Sequence, residues 1–364
     1  MIRIGVDARE LLGEATGVGR YLGELLKRWA SRGDRLRRRF LLYSPGPLPL
    51  ELPGDATQVR IIGARGGARG TWWEQTSLRR AVRADRPDVF FAPAYTAPLG
   101  TNVPLAVTIH DISFVAHPEW FRAGEGLRRR WLTRRAAAAA SVIFTDSHFS
   151  RRELETHLHA EPSRVHVVAP GLTPRVLGAR KMDRESLVLF VGSLFNRRRL
   201  PDLIEAFAAA TVSLPHSRLV IVGADRTWPR QDLHGVAERY GVLARTRFLS
   251  YIPDDELASL YARASVFAFL SEYEGFGLTP LEALAAGVPP VVLDTPVARE
   301  VYQDAAVFVK PGDIAETAEA LRVFLTDPSA AAPVLARAPA VLRQYSWEEA
   351  ADRTLAAIER VARR

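Results

Sequence analysis

Two carboxylates, Glu274 and Glu282, stand eight residues apart in the run Phe269-Leu-Ser-Glu-Tyr-Glu-Gly-Phe-Gly-Leu-Thr-Pro-Leu-Glu282. Carboxylates so placed can accept hydrogen bonds from sugar hydroxyls. Gly275 and Gly277 between them allow a backbone to approach a phosphate closely. The apolar run Ser265–Leu270 reads as a buried strand. Thr279 reads as the N-cap of the next helix, Pro280 as its first residue and Gly287 as its stop. One carboxylate then lies in a loop and the other in the first helical turn, both facing the crevice at the carboxyl end of a parallel strand. Ligands bind there in open α/β sheets. Thr279-Pro-Leu-Glu282 also fits a capping box, but that leaves Glu274 and the two glycines unexplained.

The frame Ser271, Glu274, Gly275, Phe276, Gly277, Leu278, Glu282 and Ala283 resembles the signature of retaining glycosyltransferases of the two-Rossmann-domain (GT-B) type, in the family 4 group. The resemblance implies an α/β fold of two Rossmann-like, doubly wound parallel-sheet domains facing across a cleft. It also assigns roles. Glu274 would hold hydroxyls of the donor sugar and Glu282 the ribose. Backbone N–H groups of Gly275, Phe276, Gly277, Leu278 and Thr279 would face the diphosphate or sugar. The base would lie near Ser250 and Tyr251. After Gly192, family members carry an Arg-Lys pair for the diphosphate; Arg197 and Arg198 stand in its place. That change trades a point charge for a planar fork.

In the first half, Gly17 and Gly19 of Ala15-Thr-Gly-Val-Gly-Arg-Tyr21 follow the first strand and would approach the diphosphate or acceptor. The Thr-Gly-x-Gly-Arg-Tyr form resembles the mannosyltransferase-like branch. The His110-Asp111 pair ends a strand, and the resemblance places the histidine near the transferred sugar. The expected catalytic set is therefore His110, Arg197, Arg198 and Glu274. Arg20, Tyr21, Tyr95, Asp111 and Ser147 are expected on the acceptor side. No Asp-x-Asp or metal-spaced cluster occurs in the sequence, so no metal or other cofactor is expected.

These residues need strands and helices to position them. Strands are expected at Ile2–Val6, Phe40–Tyr43, Gln58–Ile62, Val89–Ala92, Leu105–Ile109, Val142–Thr145 and Val165–Val168. Amphipathic helices such as Val18–Arg32, Trp73–Arg83 and Arg128–Ala140 intervene. A second set begins at Leu187–Val191 and continues through Arg218–Val222, Thr246–Leu249, Val266–Leu270, Val288–Leu293 and Ala306–Val309. Strand–helix alternation argues for doubly wound parallel sheets. The expected organisation is an acceptor domain over 1–176, a linker at Thr173–Ser186, a donor domain over 187–345, and a helix over 346–364 crossing back to the first domain. Ser346-Trp-Glu-Glu349 gives that helix a capping box.

The chain has 364 residues, no cysteine and a net charge of +8. Disulfide and thiolate chemistry are excluded, and no apolar run is long enough to span a membrane. A cytoplasmic location is the default expectation, with no signal peptide in the N-terminal residues. Residues 1–176 hold 27 Arg and Lys against 17 Asp and Glu, while residues 177–364 hold 22 against 24. The basic half, including the run Arg35 to Arg39, favours an anionic membrane surface or phosphorylated acceptor. The expected partners are a nucleotide-sugar donor, best guessed as GDP-mannose, and a glycan or lipid-linked acceptor. A UDP-sugar donor is the alternative. A non-catalytic nucleotide- or nucleic-acid-binding protein is the alternative of another class, though no RNA-binding motif is present and no nucleic acid is expected. An epimerase would lack the Glu-x7-Glu frame, and Lys27, Lys181 and Lys310 offer no Schiff base in a site loop.

Overall fold

The computed structural model describes residues 1–13, 17–31, 38–49, 57–62, 70–173 and 184–363. Ala15 and Thr16 of the glycine turn, Arg35 to Arg37 of the basic run, Pro174 to Asp183 of the expected linker, and Arg364 lie outside the described residues. The chain divides into two compact units. One holds residues 1–116, 123–171 and 346–364; the other holds residues 117–122 and 172–345.

The first unit is built on a seven-stranded sheet of order β3-β2-β1-β4-β5-β6-β7, parallel at every pairing. Its strands are β1 Ile2–Asp7, β2 Arg38–Ser44, β3 Thr57–Ile61, β4 Val89–Ala92, β5 Leu105–Thr108, β6 Val142–Thr145 and β7 Val165–Val167. β4, β5 and β6 are buried at every residue, as strands covered on both faces must be. The edge strand β3 leaves Val59 and Ile61 exposed. The strand order reverses between β1 and β4, which makes their carboxyl ends the natural ligand crevice of this sheet.

The helix Trp347–Ala362 completes the core of the first unit. Trp347, Ala351, Leu355, Ile358 and Val361 join a cluster with Ile4, Val6, Leu22, Trp29 and Phe91. Their spacing places them on one helical stripe. Trp29 Nε1 donates to the Ala351 carbonyl at 2.9 Å, and Arg353 donates to the Val167 carbonyl at 2.8 Å. Ser346 caps the helix, its hydroxyl accepting from the Glu349 N–H.

The second unit carries a six-stranded sheet of order β10-β9-β8-β11-β12-β13, again parallel at every pairing. Its strands are β8 Glu185–Val191, β9 Arg218–Val222, β10 Thr246–Leu249, β11 Ala264–Phe269, β12 Pro290–Leu293 and β13 Val307–Val309. The switch point here lies between β8 and β11. β8 starts at Glu185, inside the segment expected to be linker. Arg184 explains this early start. Its guanidinium donates to four carbonyls, those of Tyr261, Ala264, Ala286 and Gly287, at 2.8–2.9 Å, and pins the chain at the foot of the sheet.

Several helices were not legible in the apolar pattern. His148–Leu158 buries only Ser150 and Leu154, so it carries almost no stripe. Ala332–Leu342 contains Pro339, and proline ordinarily marks a break.

Candidate functional site

Gly192 follows β8, and the chain then winds through a 3₁₀ turn, Asn196–Arg198. Gly192 has φ +148°, and a Cβ there would lie 1.9 Å from Nη1 of Arg198. The position must be glycine for the guanidinium to lie across the strand end. Arg198 Nε donates to Oε1 of Glu274 at 3.0 Å, and Ser271 Oγ donates to the same oxygen at 2.8 Å. Arg197 Nε stands 3.8 Å from it. Phe195 and Phe269 back the cations, with Arg197 4.5 Å over the first ring and Arg198 4.9 Å over the second. Burial lowers the Arg198 pKa, partly opposed by Glu274, yet a guanidinium keeps its proton in any such setting. Nη1 of Arg198 is buried with no hydrogen-bond partner among the described residues, a cationic donor left for an anion. Arg199 is already spent on Asp202 and Glu272. Two arginines and one carboxylate therefore leave this cluster with a net positive charge.

The loop after β11 leads into the helix Leu278–Ala285. The N-cap position is Gly277, not Thr279 as expected. Gly277 turns the chain at φ +92°, and the helix begins at the next residue. The Thr279 hydroxyl is buried with no partner among the described residues, so it does not cap. Glu282 consequently falls in the second turn, where Tyr261 Oη donates to it at 3.3 Å. No local pattern points to Tyr302, which clamps the loop. Its hydroxyl donates to the Gly277 carbonyl at 2.9 Å, and a Cβ on Gly277 would meet it at 2.2 Å. Burial and the nearby Glu274 hold that phenol protonated.

A cavity of about 460 Å³ opens beside this cluster at the carboxyl ends of β9 and β10. Gly223, Asp225, Gln231, His234, Phe248 and Ser250 line it. Gly223, at φ +155°, lets the two strand-end turns touch, since a Cβ would lie 1.9 Å from the Gly192 carbonyl oxygen. Ser250 thus borders a real cavity, whereas Tyr251 is 65% exposed.

In the first unit, Gly17 opens the helix Gly17–Ser31 and Gly19 is buried in its first turn. Arg20 is half-buried, its Nε without a partner among the described residues. Tyr21 is a core residue: it is 4% exposed, its hydroxyl is 3.2 Å from Thr108 Oγ1, and its ring meets His110 edge-on. Asp111 accepts from the N–H and hydroxyl of Ser113 and from Tyr95 Oη. Ser147 caps the helix His148–Leu158. Tyr21 and Ser147, both expected to face an acceptor, therefore have structural work. His110, expected near the transferred sugar, has both ring nitrogens engaged, one by Asp146 and one by the Pro93 carbonyl. Asp146 was not legible as its partner, because they are 36 residues apart and meet only through adjacent strand ends.

A buried charge cluster at the end of β1 also escaped sequence reading. Arg9 bridges Asp7 at 3.2 Å and Glu74 at 2.7 Å, with both carboxylates almost fully buried. Burial and the neighbouring Glu74, offset in part by Arg9, push the Asp7 carboxyl up to about 6.

Two Rossmann-like parallel-sheet units are the architecture of GT-B enzymes. The structure overlays that of sucrose-phosphate synthase from Thermosynechococcus elongatus with TM-score 0.80 at 18% identity, covering 99% of each chain. The profile of the family "Glycosyltransferase Family 4" matches residues 15–175, and that of "Glycosyl transferases group 1" matches residues 179–339. The chain belongs to the family 4 (group 1) glycosyltransferases. It is similar to the O-antigen chain mannosyltransferase B of Escherichia coli, 28% identical over 259 residues, 68% of each chain. It is also similar to the GDP-mannose:cellobiosyl-diphosphopolyprenol alpha-mannosyltransferase of Komagataeibacter xylinus, 29% identical over 323 residues, 84% of this chain and 79% of that one. A D-inositol 3-phosphate glycosyltransferase of Mycobacterium avium (strain 104) is 31% identical over 61% of this chain, and the match spans only 55% of that protein's length.

Proposed function

We propose that this chain is a retaining, metal-independent hexosyltransferase that takes mannose from GDP-mannose and places it on a glycan or lipid-linked acceptor. The observation that carries this reading is the buried Arg197–Arg198–Glu274 cluster with its unpartnered cationic donor on Arg198. A departing nucleoside diphosphate needs fixed positive charge, and the arginine pair offers it without a metal. Glu274, oriented by Arg198 and Ser271, has a second carboxylate oxygen with which to hold sugar hydroxyls. The adjacent cavity suits a base. Asp225 and Asp232 border it; Asp225 Oδ1 accepts from Thr227 and Asp232 Oδ1 caps the helix Leu233–Arg239, and the second oxygen of each carboxylate can accept from the N1–H and amino edge of guanine. The two mannosyltransferases among the relatives point the same way. In the proposed chemistry the acceptor oxygen bonds to the anomeric carbon on the face from which the phosphate oxygen leaves. That oxygen takes the acceptor proton, and Arg197 and Arg198 hold the diphosphate charge.

The test is a binding and turnover panel of GDP, UDP, ADP and dTDP with their sugars, each with EDTA and with Mg²⁺. GDP should raise the melting temperature, unaltered by EDTA, and Arg198→Ala should abolish the rise. Stabilisation by UDP alone would transfer the reading to a UDP-sugar, and an inverted product would overturn the mechanism.

A surface feature supports a lipid-borne acceptor. The helix Ala123–Ala139 turns Leu127 and Trp131, 63% and 57% exposed, outward together with Arg128, Arg134 and Arg135. Apolar residues ringed by arginine suit the interface of an anionic bilayer. No described helix is long and apolar enough to cross a membrane. Sedimentation with phosphatidylglycerol vesicles, weakened in Trp131→Glu and absent with phosphatidylcholine, is the expected result; equal binding to both lipids would refute it.

A further inference from the structure

His110 follows β5, and its ring is fixed at both nitrogens. Nδ1 lies 2.9 Å from Oδ2 of Asp146, beyond β6, and Nε2 lies 3.0 Å from the carbonyl oxygen of Pro93, beyond β4. A carbonyl oxygen only accepts, so Nε2 must carry a proton. The proton on the Nδ1–Oδ2 line goes to the stronger base, and an imidazole exceeds a carboxylate by about 2.5 pK units. Both nitrogens are then protonated. We propose that His110 works as an imidazolium at neutral pH, with Asp146 as its positioning residue, and not as a proton acceptor in the transfer reaction.

The surroundings favour the charge. Burial by itself disfavours the cation, but the attraction and hydrogen bond of Asp146, the Pro93 carbonyl and the neighbouring Asp111 outweigh it, and the His110 pKa is raised. Two rings close the site, Tyr21 edge-on at 4.9 Å and Tyr95 edge-on at 5.8 Å. Tyr95 Oη donates to Asp111 at 3.3 Å, and the cation Arg129 stands 5.4 Å from the centre of the Tyr95 ring. From the helix His148–Leu158, Ser150 Oγ donates to the His110 carbonyl at 3.3 Å. A neutral imidazole could satisfy the Pro93 carbonyl but would leave Asp146, 6% exposed, without its donor. A substrate near this ring meets positive charge and C–H edges, never a lone pair. This rests on the glycosyltransferase reading for its meaning in catalysis, but the protonation state itself does not.

The experiment therefore uses the full chain without donor. Histidine ring nitrogens are followed by ¹⁵N NMR from about pH 6 to about pH 9, with His110 assigned from the signal lost in His110→Asn. Both ring nitrogens should show the protonated shift at neutral pH, with the midpoint above that of free histidine. In Asp146→Asn the midpoint should fall by at least one unit, and Asp146→Glu should bring it back towards the wild-type value. A neutral tautomer of His110 in the wild type at pH 7 would overturn the proposal, whatever the folding of the variants. A midpoint unmoved by Asp146→Asn in a folded variant would remove Asp146 from its role.

Discussion

At the scale of single residues, the site depends on atoms that are absent. Gly192 and Gly277 each leave the space of one Cβ, the first to the Arg198 guanidinium and the second to the Tyr302 hydroxyl. Gly192→Ala is expected to push Arg198 off Glu274. Calorimetry should show nucleoside diphosphate affinity reduced by about tenfold or more, the scale of one charge-assisted hydrogen bond. The carboxylate pair, the arginine pair, Gly192 and Gly277 were legible in the sequence, because each sits in a local pattern; Gly223 was not. Asp146, Tyr302 and the Asp7–Arg9–Glu74 cluster were not, because each takes a partner from a distant part of the chain.

That last cluster makes stability depend on pH. The folded value of Asp7, about 6, lies above the ordinary 3.8. A carboxyl raised in this way contributes stability that is full below its unfolded pKa and lost as pH rises through about 6. Arg9 offsets the charge that then appears. Arg9→Met should cost about 3–5 kcal/mol at pH 7, because two buried carboxylates lose their counter-ion. The cost should shrink near pH 5, where Asp7 is protonated. Urea unfolding of the variant at the two pH values measures the difference, and equal losses would contradict the account.

At the scale of elements, the strand–helix alternation made the doubly wound sheets readable, since buried parallel strands are short apolar runs. The helices were readable only where one face is apolar. Ala332–Leu342 and His148–Leu158 fold through tertiary context and an N-cap, which pattern alone does not reveal. The N-terminal boundary of Leu278–Ala285 was misread for a related reason: Thr-Pro-x-Glu is a good local start, but the Tyr302 clamp on Gly277 sets the start one residue beyond that glycine. Tyr302→Phe removes that hydrogen bond and should lower stability by about 1 kcal/mol. The loop after β11 should loosen with it, and the rise in melting temperature with the stabilising nucleoside diphosphate should be smaller than in the wild type. In the terminal helix, Leu355 and Ile358 are at most 2% exposed. Replacing either by alanine should cost about 2–5 kcal/mol, read by thermal or urea unfolding.

At the scale of the whole molecule, charge is divided between the halves of the chain, with the excess of arginine in residues 1–176. If the helix Ala123–Ala139 meets an anionic surface, vesicle binding should weaken steeply as salt is raised from about 0.05 M to about 0.3 M. Binding indifferent to salt would count against the electrostatic part of that reading. Net charge and its asymmetry were plain in the sequence, whereas the outward face of Leu127 and Trp131 was not, because their neighbours Leu132 and Ala136 point the other way.

The return of residues 346–364 to the first unit has a consequence for how the chain is made. A ribosome releases the seven strands of that unit long before the helix that seals them. The groove lined by Leu22, Trp29 and Phe91 must wait, open, while the whole second unit is synthesised. The unit whose strands are translated first is thus sealed last, and a nonsense codon just before residue 346 should cripple it although every one of its strands is intact.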